Sequence, residues 1–181
     1  QYRPRDIKKM LSPRTKAIVL CHPGNPTGAI YTAEEMSMVA DLAKKHDFFI
    51  IADEVYREFV YDGIPYRSFA SLKGVEDRVV IMDSISKRYS ACGARVGCVI
   101  SRNTEFIRQV LKLCQGRTSA PTMDQIGAVA LYGTPQSYLD DVRTEYQKRR
   151  DTLYRALKSM PGVICEEPKG AFYAVVKLPV D

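Results

Sequence analysis

The sequence contains no tryptophan and only two histidines, His22 and His46. They lie far apart and neither has metal-ligand spacing, so a histidine-based metal centre is not expected. Five cysteines are present, Cys21, Cys92, Cys98, Cys114 and Cys165. An odd count with no C-x-x-C pair reads most naturally as reduced thiols rather than a disulfide framework, with the cytoplasm as the expected location. No apolar run approaches the length needed to cross a bilayer, and neither a repeat nor a low-complexity tract interrupts the chain. The formal charge of +6 is not gathered into a basic patch with aromatics, which argues against nucleic acid as a partner. The two densest groups, Arg3, Arg5, Lys8 and Lys9, and Lys148, Arg149 and Arg150, read as solvated faces.

What is present is an alternation of short apolar strands and amphipathic helices along 181 residues, enough for one sizeable core. Strands are predicted over 16–21, 48–52 and 79–82, with a fourth over 96–100. The fourth comes too soon for a helical crossover, so it should run antiparallel to its neighbours. Thr32 and Glu35 have capping-box spacing, and Met36, Val39, Ala40 and Ala43 repeat at helical spacing behind them. Asn103 or Thr104 should cap a helix that Gly116 stops. Thr122 with Gln125 reads as a second capping box, and Pro135 as the first residue of a long helix. That helix should bury a stripe of Leu139, Val142, Tyr146, Leu153 and Leu157, and two strands over 163–165 and 172–178 should come after it. The fold class is therefore α/β, around a mostly parallel sheet with one antiparallel strand.

Three of the strands end in polar groups that an apolar strand end does not need. The first runs into His22-Pro23-Gly24-Asn25-Pro26-Thr27-Gly28, a rigid turn that holds Asn25, a side chain able both to donate and to accept. The second ends at Asp53-Glu54-Val55-Tyr56. A carboxylate there needs a cation or several donors, unless Asp53 is merely the N-cap of a helix. The third leads into Ser84-Ile85-Ser86-Lys87-Arg88-Tyr89, with Arg95 six residues further on. An amine that can form an imine with an aldehyde, beside hydroxyls and a guanidinium that can hold a phosphate, suits one kind of cofactor. Ligands in open α/β sheets bind at the carboxyl ends of strands.

Asn25-Pro26-Thr27-Gly28, Asp53-Glu54-Val55-Tyr56, Ser84-Ile85-Ser86-Lys87 and Gly93-Ala94-Arg95-Val96-Gly97 resemble, in order and spacing, the fold-type I pyridoxal-phosphate aminotransferases of class I/II, near the aspartate aminotransferase branch. The resemblance implies a three-layer sandwich. It places residues 1–150 in the second half of the cofactor-binding large domain and 151–181 at the start of an α+β small domain. The family's earlier strands, its helix N-terminus for phosphate and its carboxylate-binding arginine are then expected to lie outside this chain, which alone should be inactive.

The resemblance also implies roles. Lys87 holds pyridoxal 5′-phosphate as an imine and moves the proton in catalysis. Asp53 pairs with the pyridine nitrogen. Tyr56 and Asn25 hydrogen-bond the ring's phenolic oxygen, and Ser84, Ser86 and Arg95 hold the phosphate. The implied reaction moves an amino group between an amino acid and a 2-oxo acid, in a homodimer. The same fold and lysine also serve lyases, synthases and decarboxylases, and aminotransferase-like sensor domains of transcription regulators. Reaction products separate the first three from transamination, and an upstream helix-turn-helix identifies the last.

Overall fold

The computed structural model describes residues 4–180. A helix α1 (Pro4–Met10) precedes strand β1 (Ala17–Cys21), helix α2 (Ala33–His46) and strand β2 (Phe49–Asp53). Strand β3 (Val79–Ser84) leads into the one-turn helix α3 (Ile85–Arg88) and then strand β4 (Gly97–Ser101). Helices α4 (Thr104–Gln115), α5 (Thr122–Leu131) and α6 (Gln136–Lys158) come next, then the short strands β5 (Ile164–Cys165) and β6 (Val176–Lys177).

The main sheet has the order β1-β2-β3-β4. β1, β2 and β3 are parallel, and β4 is antiparallel to β3, as the short connection requires. Period-two alternation divides the strand residues between two faces. One face, with Leu20, Ile50, Ala52, Val79 and Ile81, packs on Met36, Val39, Ala40 and Ala43 of α2 and on Phe69, Leu72 and Val75 of the loop after β2. This is the core. α4 covers part of the other face through Phe106, whose ring lies 5.4 Å from that of Phe49. Further along that face Val19, Met82 and Val99 remain exposed.

Helix ends obey local chemistry where a side chain can reach. The Thr32–Glu35 capping box forms in both directions. Asn103 caps α4 by accepting from Phe106 N at 2.8 Å. The second predicted box does not form. Thr122 is already inside α5, Pro121 occupies the cap, and Gln125 Nε2 reaches the Ala120 carbonyl at 2.6 Å. Pro135 is likewise the cap of α6 rather than its first residue.

The predicted stripe of α6 is only partly buried, with Leu153 51% exposed. Its most buried residue is Arg150, whose place in a basic run had suggested a solvated face. Arg150 is drawn in by a bidentate pair with Asp62 at 2.5 and 3.2 Å and a bond to the Pro168 carbonyl at 2.6 Å, while its guanidinium lies over the Tyr61 ring. Lys8, Lys9, Lys148 and Arg149 are exposed as expected; Arg3 and the side chain of Arg5 lie outside the described residues.

Candidate active site

The parallel register aligns the strand ends. Cys21 of β1 pairs with Asp53 of β2, and Asp53 with Met82 of β3. The ladder continues one step past the strands, with His22 N donating to the Asp53 carbonyl at 2.8 Å and Glu54 N to the Met82 carbonyl at 3.0 Å. The three polar loops therefore leave the sheet at one level.

The Asn25 turn is closed by Gly28 N donating to the Gly24 carbonyl at 2.8 Å and by Gly24 N donating to the Ala29 carbonyl at 2.8 Å. Gly28 has φ +66°, and a Cβ there would lie 2.5 Å from Pro168 Cβ, so both conformation and space demand glycine. The Gly28 carbonyl accepts from Lys169 N and Gly170 N, both at 2.9 Å, tying the C-terminal segment to the turn.

Asn25, Tyr56 and Lys87 come together. Asn25 Nδ2 lies 3.4 Å from the Tyr56 hydroxyl, and Lys87 Nζ stands 5.9 Å from the centroid of the Tyr56 ring. Tyr173 joins them, its hydroxyl 2.6 Å from that of Tyr56. Burial, and then the Tyr173 hydroxyl, push the Tyr56 phenol well above its usual range, so Tyr56 remains a proton donor at neutral pH. Tyr173 was missed in the sequence because its only signal was an aromatic in a strand-like run.

Asp53, Ser84 and Arg95 line one cleft with Val55, Met82 and the α4 residues Ile107 and Val110. Asp53 is half-buried and accepts from Val55 N through one carboxylate oxygen at 3.2 Å. Among the described residues it has no ion-pair partner. Ser84 rather than Ser86 caps α3: its Oγ accepts from Ser86 N at 3.0 Å and donates to the Val96 carbonyl at 2.9 Å, and it lies 2.8 Å from Ser86 Oγ. Arg95 is exposed, with its backbone in the left-handed region (φ 57°) and its Nη1 donating to the Cys92 carbonyl at 2.9 Å.

Behind these loops lies a buried polar layer that sequence reasoning passed over. His22 is fully buried, accepts from Tyr31 N through Nδ1 at 3.3 Å and meets the Arg67 carbonyl through Nε2 at 3.1 Å. Burial drives its pKa down to about 4, consistent with a neutral ring that donates from Nε2. Glu54, also fully buried, accepts from Ser68 Oγ and Phe69 N through Oε1. Among the described residues, neither its Oε2 nor the buried Tyr66 hydroxyl has a hydrogen-bond partner. Burial raises the Glu54 pKa.

At the parallel strand ends the fold thus brings Lys87, Asn25, Tyr56 and Tyr173 together, and sets Asp53, Ser84 and Arg95 along one cleft. The chain belongs to the aminotransferase class I and II family, whose pattern it matches over residues 4–181. It is 36% identical over 172 residues to the aspartate aminotransferase of Bacillus subtilis (strain 168), a match covering 94% of this chain and 44% of that protein. It is 34% identical over 170 residues to aromatic-amino-acid aminotransferase 2 of Thermococcus litoralis, covering 93% and 43%. Among solved structures, aspartate aminotransferase from Thermotoga maritima superposes with a TM-score of 0.89 at 31% identity, covering 100% of this chain and 47% of that one. The chain thus spans less than half the length of the relatives it matches.

Proposed function

We propose that this chain is the lysine-bearing part of a pyridoxal-phosphate-dependent aminotransferase that transfers an amino group between an amino acid and a 2-oxo acid. The observation that carries the reading is the lone Asp53 carboxylate. It sits half-buried at the end of an apolar strand, without a cation among the described residues, in the cleft it shares with Ser84 and Arg95. Such a group is costly unless a positive partner arrives, and a protonated ring nitrogen is one.

The donor set fits the cofactor. Lys87 would hold its aldehyde carbon covalently and, once displaced, carry a proton to and from the substrate α-carbon. Asp53 would keep the ring nitrogen protonated. Tyr56, a phenol that stays protonated, and Asn25 would donate to the ring's phenolic oxygen. Ser84, Ser86 and Arg95 would bind the phosphate, Arg95 after turning from the Cys92 carbonyl. When bound, pyridoxal phosphate supplies the electrophile that captures the amino group and the sink for electrons left at the α-carbon.

In this reading residues 1–150 belong to a large cofactor-binding domain and 151–181 begin a small one. The whole protein is a cytoplasmic homodimer. No helix among the described residues is long and apolar enough to cross a membrane. The test is Lys87→Ala in a full-length protein carrying this chain. Exchange of amino groups between amino and 2-oxo acids should fall to traces, and near-normal exchange removes the proposal.

A further inference from the structure

A helix of one turn cannot hold itself, because nucleation fixes several residues for a single hydrogen bond. α3 has four residues, and Lys87 is the third of them. Something outside the helix must fix it if Lys87 is to keep one place. At its start the Ser84 hydroxyl caps the turn by accepting from Ser86 N. At its end stands Arg88, 5% exposed although arginine is ordinarily a surface residue.

Arg88 turns inward to Asp83, the residue just before the cap. Its Nη2 contacts both carboxylate oxygens, at 2.9 and 3.2 Å. Asp83 is itself 7% exposed. It also accepts from Ser84 N at 2.8 Å and pairs with Arg57 Nη2 at 3.3 Å. Glu58 completes the group, lying 3.5 Å from both Arg57 Nε and Arg88 Nε. Two arginines and two carboxylates leave the cluster formally neutral. One carboxylate thus grips the backbone before the turn and the side chain that ends it. Successive helical residues point about 100° apart, so an Arg88 locked inward directs Lys87 toward Tyr56, where its Nζ is found.

We infer that Asp83 and Arg88 are positioning residues for Lys87, a buried ion-pair pin that holds the lysine-bearing turn in its working orientation. For Lys87 as a cofactor lysine the inference rests on the proposed function; for the turn itself it does not.

The experiment compares this chain with Arg88→Lys, Asp83→Asn and the double variant Asp83→Leu/Arg88→Met. Removing one partner of a buried pair can unfold a protein, whereas replacing both with apolar groups is often tolerated. The double variant therefore keeps the test open if a single one fails to fold. Amide hydrogen exchange is read over residues 84–89, with strand β2 as the internal control. In the folded double variant, exchange over 84–89 should rise at least tenfold while β2 is unchanged, and Arg88→Lys should restore part of the protection. Exchange within twofold of the parent chain overturns the pin, as does acceleration spread equally over 84–89 and β2. A second readout is borohydride trapping of pyridoxal phosphate, then peptide mapping. The share of adduct on Lys87 relative to other lysines should fall tenfold in the double variant, and an unchanged share overturns the positioning role. If the parent chain shows no preference for Lys87, the functional reading fails, while the exchange result still decides the pin.

Discussion

The hydroxyls of Tyr56 and Tyr173, 117 residues apart in sequence, lie 2.6 Å from one another. The contact joins the loop after β2 to the segment after α6, and it places a C-terminal residue in the candidate site. A hydrogen bond of this kind contributes about 1 kcal/mol net. A double-mutant cycle of Tyr56→Phe and Tyr173→Phe, read by urea unfolding, should give a coupling energy of about that size. Additive effects would mean that the two phenols act independently.

The ring of His22 should make the chain acid-sensitive. It is buried neutral, with a pKa of about 4 against 6.5 for an exposed histidine. The unfolded chain therefore binds the extra proton first. His22 contributes no penalty above pH 6.5, and stability is lost as pH falls from there toward 4. The loss at pH 5 is on the order of 2 kcal/mol. Comparing unfolding at pH 7 and pH 5, His22→Gln should flatten the dependence by that amount, whatever its cost at pH 7. An unchanged dependence would show that His22 is not the group responsible.

Arg150 should not tolerate its nominal equivalent. The guanidinium grips both oxygens of Asp62, reaches the Pro168 carbonyl and lies 5.1 Å from the centroid of the Tyr61 ring. An ammonium reproduces the charge but not the planar fork or the stacking. Arg150→Lys should cost about 1–2 kcal/mol and should raise hydrogen exchange over residues 164–178 first. Uniform acceleration throughout the chain would assign Arg150 to general stability instead.

Gly28 and Gly63 provide a matched pair. Both have left-handed backbones, φ +66° and +67°, but a Cβ on Gly28 would strike Pro168 whereas nothing lies within 4 Å of one on Gly63. Gly63→Ala should cost about 1 kcal/mol, the conformational strain alone. Gly28→Ala adds a clash with the Pro168 ring and backbone and should cost about 3 kcal/mol or more. Equal costs by chemical denaturation would show that the contact between the turn and Pro168 yields freely.

Much of the architecture was legible because the relevant physics is local. The Thr32–Glu35 box and the Asn103 cap need only residues three apart, and the reversal of β4 is dictated by a connection too short for a crossover. The Asn25 turn, Asp53 and the Lys87 loop could be read as polar endings on apolar strands, although one face of those strands leaves Val19 and Met82 exposed. The features that stayed hidden depend on contacts between distant segments. Nothing around Arg150 distinguishes it from its exposed neighbour Arg149, since its burial is set by Asp62 and Pro168. Tyr173 enters the site because the segment before it is tied to distant loops, Gly170 N to the Gly28 carbonyl and Ala171 N to the Phe59 carbonyl, which brings it against Tyr56. The failed box at Thr122 shows the limit even of local spacing: with Pro121 at the cap, Gln125 found a carbonyl acceptor instead.

The central claim is that Lys87 is the residue that takes the cofactor. It is tested most directly by incubating the chain with pyridoxal phosphate, reducing with borohydride and mapping the labelled peptide. The account predicts that the label concentrates on Lys87, half-buried beside Tyr56, and that the absorbance of the adduct before reduction disappears in Lys87→Ala. Label spread over exposed lysines such as Lys44, Lys73 and Lys148, with Lys87 unmodified, would contradict it.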